Sequence, residues 1–297
     1  MQTRESFLGF PLFRGRSLIR LAVAGMALGL TACSSYMPAG PVLTETVWAV
    51  TADHRLIKFS ANQPQKVLES RPLLGLLGND VVVGMDFRVA RGVLYALAQS
   101  GRLYTVNTAT GALQPVAASA AAVPLAGRAV GMDFNPTVDR IRVVNEAGQN
   151  FRLHPETNAV VATDPHVAYD AADARAGQVP QLVAAAYTYN AKNEKITTNY
   201  AIDRAAGALV TQGSREGVEP LVSPNTGRLF TVGPLGAGPL QDASFDISDV
   251  KNTALAAWTT AAQPRTNLYH LNLSTGQARP LGMVADGGVL RGLAIEP

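Results

Sequence analysis

The sequence predicts an all-β fold, and within that class a β-propeller of four-stranded blades. Three observations predict it: a unit repeats at a spacing of 47 residues, each copy holds four short strand-like segments, and the two chain ends supply complementary parts of one copy. Four short strands in a unit of this length are typical of a propeller blade. With 297 residues, 47% hydrophobic and 16% charged, the chain can bury a sizeable core.

The first 32 residues are predicted to be a signal peptide. Four arginines precede an uncharged apolar stretch, Leu21–Leu30, whose ten residues are too few to span a bilayer. The tetrapeptide from Leu30 to Cys33, LTAC, resembles the lipobox of bacterial lipoproteins. That resemblance implies cleavage before Cys33 and a lipid on its thiol and new amino group. The alternative is an ordinary signal peptide followed by a stray or buried thiol.

Removing the signal peptide changes the charge of the chain. The net charge of +3 comes from 25 basic and 22 acidic residues, and residues 1–32 contain four of the former and one of the latter. The mature chain is therefore neutral, and since it also has no nucleic-acid-binding module, we expect no nucleic-acid partner. Cys33 is the only cysteine, so the exported domain has no disulfide. Residues 33–44 are predicted to be a lipidated tether, and residues 45–297 a single propeller domain.

The repeat is clearest between residues 81–116 and 128–163, which align without a gap. Both copies contain the block Val-Gly-Met-Asp-Phe, and their apolar positions match further along. A third copy lies in residues 244–277 and a weaker fourth around 199–209. Each unit predicts an inner strand at GMDF, then strands around GVLYAL, RLYTVN and ALQPV, with Gly, Pro, Asn and Asp between them.

The chain ends predict a closed ring. Residues 46–60 align with residues 93–107, the second and third strands of a unit, so the mature domain starts without an inner strand. Residues 291–297 match the inner-strand segment. Completing one blade from both ends leaves no free sheet edge. We count five blades: the split one, 81–118, 128–165, about 180–236, and 243–284. The fourth is long and irregular, and Gly217 to Gly236 is a candidate for a sixth.

Parts of the repeats resemble a bacterial family catalogued as domain of unknown function 4394. The resemblance rests on the paired VGMDF blocks, the segment Phe134–Asn158, VAAAYTYN at Val183–Asn190 and LRGLAIEP at Leu290–Pro297. It covers residues 46–297 and implies an exported propeller-like domain. It implies no established activity and no catalytic residues.

Three aspartates recur at the end of inner strands: Asp86, Asp133 and Asp246, with Ala294 in their place in the split blade. If they face the central channel, they could form an oxygen-rich site for calcium. Alternatively, a repeated residue does a repeated structural job, bonding backbone amides or pairing with an arginine such as Arg142. Repetition favours this second interpretation.

The connection from Thr163 to Gln178 breaks the repeat and contains Asp164, His166 and Asp170. These side chains could bind a divalent ion or act as acid and base, or they could simply form a solvated acidic loop. The sequence has no zinc-type histidine pair, no Walker loop, no GxSxG elbow and no dinucleotide fingerprint. We therefore predict no catalytic residues and no cofactor, calcium excepted.

Two functions follow from these observations. The leading expectation is a lipid-anchored cell-envelope propeller that acts as a binding or scaffolding module for a protein or glycan. The alternative is a calcium-dependent propeller hydrolase or lyase acting on a lactone, ester or sugar. Ser34, following Cys33, favours sorting to the outer membrane in a Gram-negative host. The lipid makes the membrane itself a partner.

Overall fold

The computed structural model describes residues 42–120 and 125–297. The predicted signal peptide and Cys33 lie outside the described residues. Within them the chain forms 21 strands, and its helical segments are two single 3₁₀ turns, Val89–Arg91 and Pro224–Thr226. No helix in this part of the chain is long and apolar enough to cross a membrane.

The strands form five sheets, which are the five blades of a propeller. Blade 1 contains β1 (Thr46–Thr51), β2 (Arg55–Ser60), β3 (Gln63–Pro72) and β21 (Leu290–Ile295). Blade 2 contains β4 (Val82–Arg88), β5 (Val93–Ala98), β6 (Leu103–Val106) and β7 (Leu113–Pro115). Blade 3 contains β8 (Val130–Asn135), β9 (Arg140–Asn145), β10 (Asn150–Leu153) and β11 (Val160–Thr163).

The last two blades differ in regularity. Blade 4 contains β13 (Leu182–Tyr187), β14 (Asn199–Asp203), β15 (Ala208–Gln212) and β16 (Arg228–Pro234). A fifth strand, β12 (Ala168–Tyr169), pairs in parallel with the outer edge of β16. Blade 5 contains β17 (Asp242–Ile247), β18 (Ala254–Thr259), β19 (Asn267–Leu271) and β20 (Ala278–Met283).

The predicted ring and its closure are confirmed. The inner strands are β21, β4, β8, β13 and β17, and each contacts the next around the ring. In blade 1, β21 pairs antiparallel with β1, with Trp48 opposite Ala294. The count of five is correct, and there is no sixth blade in residues 217–236. Those residues form a loop and then β16, because the fourth blade is long only through its connections.

The core is divided among the five interfaces between blades. Each interface contains a cluster of buried apolar side chains contributed mainly by the facing surfaces of neighbouring sheets. The clusters hold 12 to 14 buried residues at four interfaces and only eight at the interface between blades 3 and 4. That interface is therefore the least apolar of the ring.

Glycine in the repeated block lets the inner strands approach one another. A Cβ added at Gly131 would lie 2.6 Å from the backbone nitrogen of Ala185 in the next blade. Gly84 and Gly292 stand at matching places, with 2.9 and 2.7 Å to the nearest atom of the next blade. This close packing leaves a cavity of only about 20 Å³ between the inner strands.

Candidate functional site

The inner strands bring three of the predicted site residues together at the ring centre. Asp86, Asp133 and Asp246 each contribute a carboxylate oxygen, and these oxygens lie within 4.8 Å of one another. Each residue is 5% exposed. The remaining two inner strands carry alanine at this place, Ala294 and Ala186.

Each aspartate also ties its own inner strand to the next blade. Asp86 accepts hydrogen bonds from the backbone N–H of Phe87 and from that of Phe134 in blade 3, both at 2.7 Å. Asp246 repeats the arrangement with Ile247 and Ile295, both at 2.6 Å. Asp86 and Asp246 therefore have the repeated structural role that the sequence suggested. They join neighbouring blades by accepting hydrogen bonds from backbone amides, and Arg142 is not their partner.

Asp133 departs from this pattern. Its Oδ1 accepts the N–H of Tyr187 in blade 4 at 3.1 Å. Among the described residues, nothing donates a hydrogen bond to its second oxygen, Oδ2. Asp133 is thus the member of the cluster with an oxygen left for a proton or a cation.

The cluster cannot hold three negative charges without a counterion. Burial raises the pKa of Asp86 well above its usual value, and the charges of Asp246 and Asp249 raise it further. Burial also raises the pKa of Asp133, and the charges of Asp86, Asp246 and Asp249 raise it further. Burial raises the pKa of Asp246 to about 8. No lysine or arginine of the described residues pairs with them, so protons or a bound cation must neutralise the cluster.

A cavity of about 410 Å³ lies at the ends of these inner strands. Phe87, Phe134 and Tyr189 supply its aromatic lining, and Asp249 and Glu194 supply carboxylates. Glu194 accepts a hydrogen bond from the Tyr189 hydroxyl at 3.4 Å. Neither acid forms an ion pair with a cationic side chain of the described residues. The cavity therefore suits a positively charged group held against aromatic rings.

The cavity has one further charged pair at its edge. Arg88 donates to both carboxylate oxygens of Asp139, so these two charges offset each other. Arg88 also contacts Glu156. The net charge of the cavity is thus negative.

Asp249 was missed by sequence reasoning. It follows β17 in a turn, it is half-buried, and burial raises its pKa to about 6. The signal that could have found it is a departure from the repeat. Three residues after the repeated aspartate, blades 2 and 3 carry Val89 and Pro136, whereas blade 5 carries Asp249.

The other predicted site residues are dispersed. Asp164 is buried and pairs with Arg142 and Arg152. His166 is exposed, and Asp170 pairs with Arg228. The structure does not gather Asp164, His166 and Asp170 into one ligand set. Across residues 42–120 and 125–297, the three central aspartates are the one group of three or more such ligands close enough to share an ion.

The five sheets and the three central aspartates together define the class of protein: a five-bladed β-propeller with a cluster of buried carboxylates where its inner strands converge. The chain belongs to the family described as "Domain of unknown function (DUF4394)", whose family model matches residues 55–294. The resemblance stated from the sequence is therefore confirmed. No curated protein matches the chain.

The chain is also similar to solved structures that are distant in sequence. One is the hydrazine synthase of Kuenenia stuttgartiensis, with 11% identity, a TM-score of 0.40, and coverage of 71% of this chain and 53% of that one. Another is the dihydro-heme d1 dehydrogenase NirN, with 14% identity, a TM-score of 0.36, and coverage of 83% and 55%. The chain spans little more than half the length of either structure.

Proposed function

We propose that this protein is a binding module of the cell envelope, anchored by a lipid on Cys33, and that its ligand occupies the cavity at the ends of the inner strands. One observation carries the proposal: a 410 Å³ cavity holds aromatic surface and carboxylates that lack cationic partners among the described residues. The ligand is then an envelope protein or glycan that presents a positively charged group, such as a lysine or amino-sugar ammonium.

A pull-down with charge-matched variants tests this proposal. Tagged full-length protein would be crosslinked in membranes and purified as wild type, Asp249→Asn and Asp286→Asn. Asp286 is exposed in the loop that enters β21, and its substitution is the control because it removes the same charge at the opposite end of an inner strand. We expect one partner to be recovered with wild type and with the control, and to be depleted about tenfold with Asp249→Asn, as removal of a charged contact entails.

Two results would oppose the binding proposal. Equal recovery with all three baits would mean that the cavity does not bind the partner. Robust turnover of an ester, lactone or sugar by the purified protein would replace a binding role with a catalytic one.

The second proposal is a calcium-dependent propeller hydrolase or lyase, and the three converging carboxylates favour it. Calcium takes six to eight oxygen ligands, and Asp86, Asp133 and Asp246 would supply the protein's share. The donor set fits a hard cation because every ligand is an oxygen and Asp133 has one oxygen free. Bound calcium would polarise a carbonyl or a water next to these three carboxylates.

Thermal unfolding separates this second proposal from the first. The protein would be melted in EDTA and then in millimolar calcium, as wild type and as Asp133→Asn. Calcium at about 100 times its dissociation constant should stabilise wild type by about 2.7 kcal/mol and leave Asp133→Asn unchanged. Unchanged midpoints for wild type would mean that protons, not calcium, neutralise the cluster.

We propose the cellular location of the protein from the sequence alone. Cys33→Ala removes the only thiol and with it the lipid, so the protein should move from the membrane pellet to the soluble fraction. We propose the outer membrane as the site, because Ser34 follows the lipidated residue. Density-gradient fractionation of wild-type membranes tests this, and co-migration with inner-membrane markers would overturn it.

A further inference from the structure

We propose a second binding site, for a small organic anion, in the cavity between blades 3 and 4. The cavity measures about 320 Å³ and is enclosed by the turn between β8 and β9, the loop between β13 and β14, and residues 214–225. It is separate from the cavity of the proposed function, although Asn135 borders both.

The floor of this cavity carries an excess of positive charge. Arg142 and Arg152 share one carboxylate, that of Asp164, at 2.6 Å for Arg142 and at 2.9 and 3.0 Å for the two nitrogens of Arg152. The Arg142 side chain is 1% exposed and that of Asp164 is 7% exposed. Two guanidinium groups and one carboxylate leave one positive charge without a counterion, and the Arg152 side chain, which is 27% exposed, can present that charge to the cavity.

The walls of the cavity add to this charge rather than offset it. Arg140 and Lys195 also line the cavity, and Glu216 is the one acid among its lining residues. The Glu216 carboxylate keeps its negative charge while it accepts hydrogen bonds from Thr188 and Asn190 at 2.7 and 2.6 Å. The four cationic side chains of the lining therefore stand against two carboxylates, those of Glu216 and Asp164, and the cavity is net positive. An anion entering this space therefore meets unpaired cations.

The guanidinium of Arg142 is also held in a fixed orientation. It donates to the Tyr187 hydroxyl at 3.2 Å, to Asn150 at 2.6 Å and to Asn225 at 2.5 Å. Asn225 belongs to the loop that forms one wall of the cavity. A charge fixed by several partners is pre-organised for a ligand, which reduces the entropy lost on binding.

Comparison with the preceding interface shows that this network is not needed to join two blades. At the place of Arg142 in the repeat, blade 2 carries Tyr95, and its ring packs edge-on against Phe134 at 5.2 Å between centroids. Arg142 meets Tyr187, the counterpart of Phe134. Blade 2 likewise has Thr105 and Ala117 where blade 3 has Arg152 and Asp164.

The interface between blades 3 and 4 thus replaces apolar packing with buried charges. Its apolar cluster is the smallest of the five, with eight buried residues. Burying charges in place of well-packed apolar groups seldom adds stability. A polar network that departs from the repeat and lies under a cavity therefore points to binding.

The lining also indicates what kind of anion fits. Planar guanidinium groups favour carboxylate or phosphate oxygens. Around them stand exposed apolar side chains, Val138 at 54%, Ile196 at 40% and Leu221 at 76%. The volume lies at the lower end of the range for small-molecule sites. We therefore assign a carboxylate attached to a compact apolar body.

Calorimetric titration of the full-length protein in detergent tests this assignment. The probes are hexanoate and benzoate, the uncharged analogue benzamide, and inorganic phosphate. Arg152→Gln removes the excess charge but keeps the pair between Arg142 and Asp164. Arg102→Gln is the matched control, because within residues 42–120 and 125–297 Arg102 of blade 2 donates only to backbone carbonyls, those of Ala117 and Ala118.

We expect saturable binding of hexanoate or benzoate, no binding of benzamide, and an affinity about tenfold weaker in Arg152→Gln with no change in Arg102→Gln. If Arg152→Gln does not fold, Lys195→Gln serves instead, since Lys195 is exposed and should weaken binding severalfold. Absence of carboxylate binding at millimolar concentration, equal affinity in all variants, or preference for phosphate over both carboxylates would overturn the assignment.

Discussion

At the scale of single residues, the central aspartates combine two properties that are seldom found together: they accept hydrogen bonds from backbone amides, and their pKa values are raised. A carboxylate that bonds backbone amides normally ionises more easily, because those bonds favour the charged form. Asp86 and Asp246 each accept two such hydrogen bonds, yet their pKa values are raised, because burial, together with the charge of Asp249, outweighs these bonds. Hydrogen bonds from backbone amides therefore stabilise the ring centre, and negative charge on its buried carboxylates destabilises it.

This balance predicts how stability depends on pH. Asp246 has a folded-state pKa of about 8 against 3.8 when unfolded, so the folded protein binds more protons between these values. Stability should then fall as pH rises from about 4 to 8, by roughly 1 kcal/mol per pH unit for Asp246, and the raised pKa values of Asp86 and Asp133 should act in the same direction. Urea unfolding in EDTA at several pH values measures this slope.

Asp133→Asn supplies the matched comparison for the pH slope. It removes one titrating group and its repulsion of Asp86 and Asp246, while the amide oxygen can still accept the N–H of Tyr187. We expect a shallower slope in this variant and an unchanged slope in the exposed control, Asp286→Asn. A wild-type stability that stays level or rises over this range would contradict the raised pKa values.

At the scale of single elements, the repeated glycine sets the distance between inner strands. In Gly131→Ala the new methyl group meets the backbone nitrogen of Ala185 at 2.6 Å, and a backbone cannot move aside as a side chain can. We expect destabilisation of about 1–3 kcal/mol, the usual cost of overpacking.

The control for this substitution is Gly288→Ala. A Cβ there would meet only the flexible carboxylate of Asp286 at 3.3 Å, so little loss is expected. Chemical unfolding of both variants gives the comparison. Equal stability of the two variants would show that the inner strands are not limited by this contact.

Most strands could be predicted from the sequence, because each blade repeats the same hydrophobic pattern and the same kinds of turn residue within one continuous stretch of chain. The repeat placed the strands of blades 1, 2, 3 and 5, and the matching chain ends placed β21. Blade 4 was harder since its connections are long. The supplementary strand β12 could not be predicted, because two residues, Ala168 and Tyr169, carry no periodicity.

Only part of the site residues could be predicted from the sequence, and the reason differs from that for the strands. Repetition identified Asp86, Asp133 and Asp246, because the same letter recurs at the same place. The Arg142 network joins Asn150, Asp164 and Asn225, and the last of these is 83 residues away in the chain. Such partners meet only after blades 3 and 4 pack together, and no local pattern encodes that meeting.

At the scale of the whole molecule, the ring depends on one strand from the far end of the chain. β21 is the inner strand of blade 1, and its Ile295 N–H bonds Asp246 of blade 5. Deleting residues 290–297 would leave β1 with a free edge and open the contacts of β21 with β4 and β17. We expect loss of the single cooperative unfolding transition and a tendency to aggregate.

Peptide complementation checks whether the loss comes from the open ring. Adding a synthetic peptide of residues 288–297 to the truncated protein should restore cooperative unfolding, monitored by circular dichroism. A truncated protein that unfolds like wild type without the peptide would show that β21 is dispensable.

The position of β21 in the chain also bears on biogenesis. The other twenty strands are made before it, so blades 2 to 5 can form while the inner edge of β1 still faces solvent. An unpaired strand edge promotes aggregation, and chaperones and proteases act on chains that expose such an edge. Chains that end before residue 290 keep that edge permanently. We therefore expect chains that close the ring to persist and chains that end before residue 290 to be degraded.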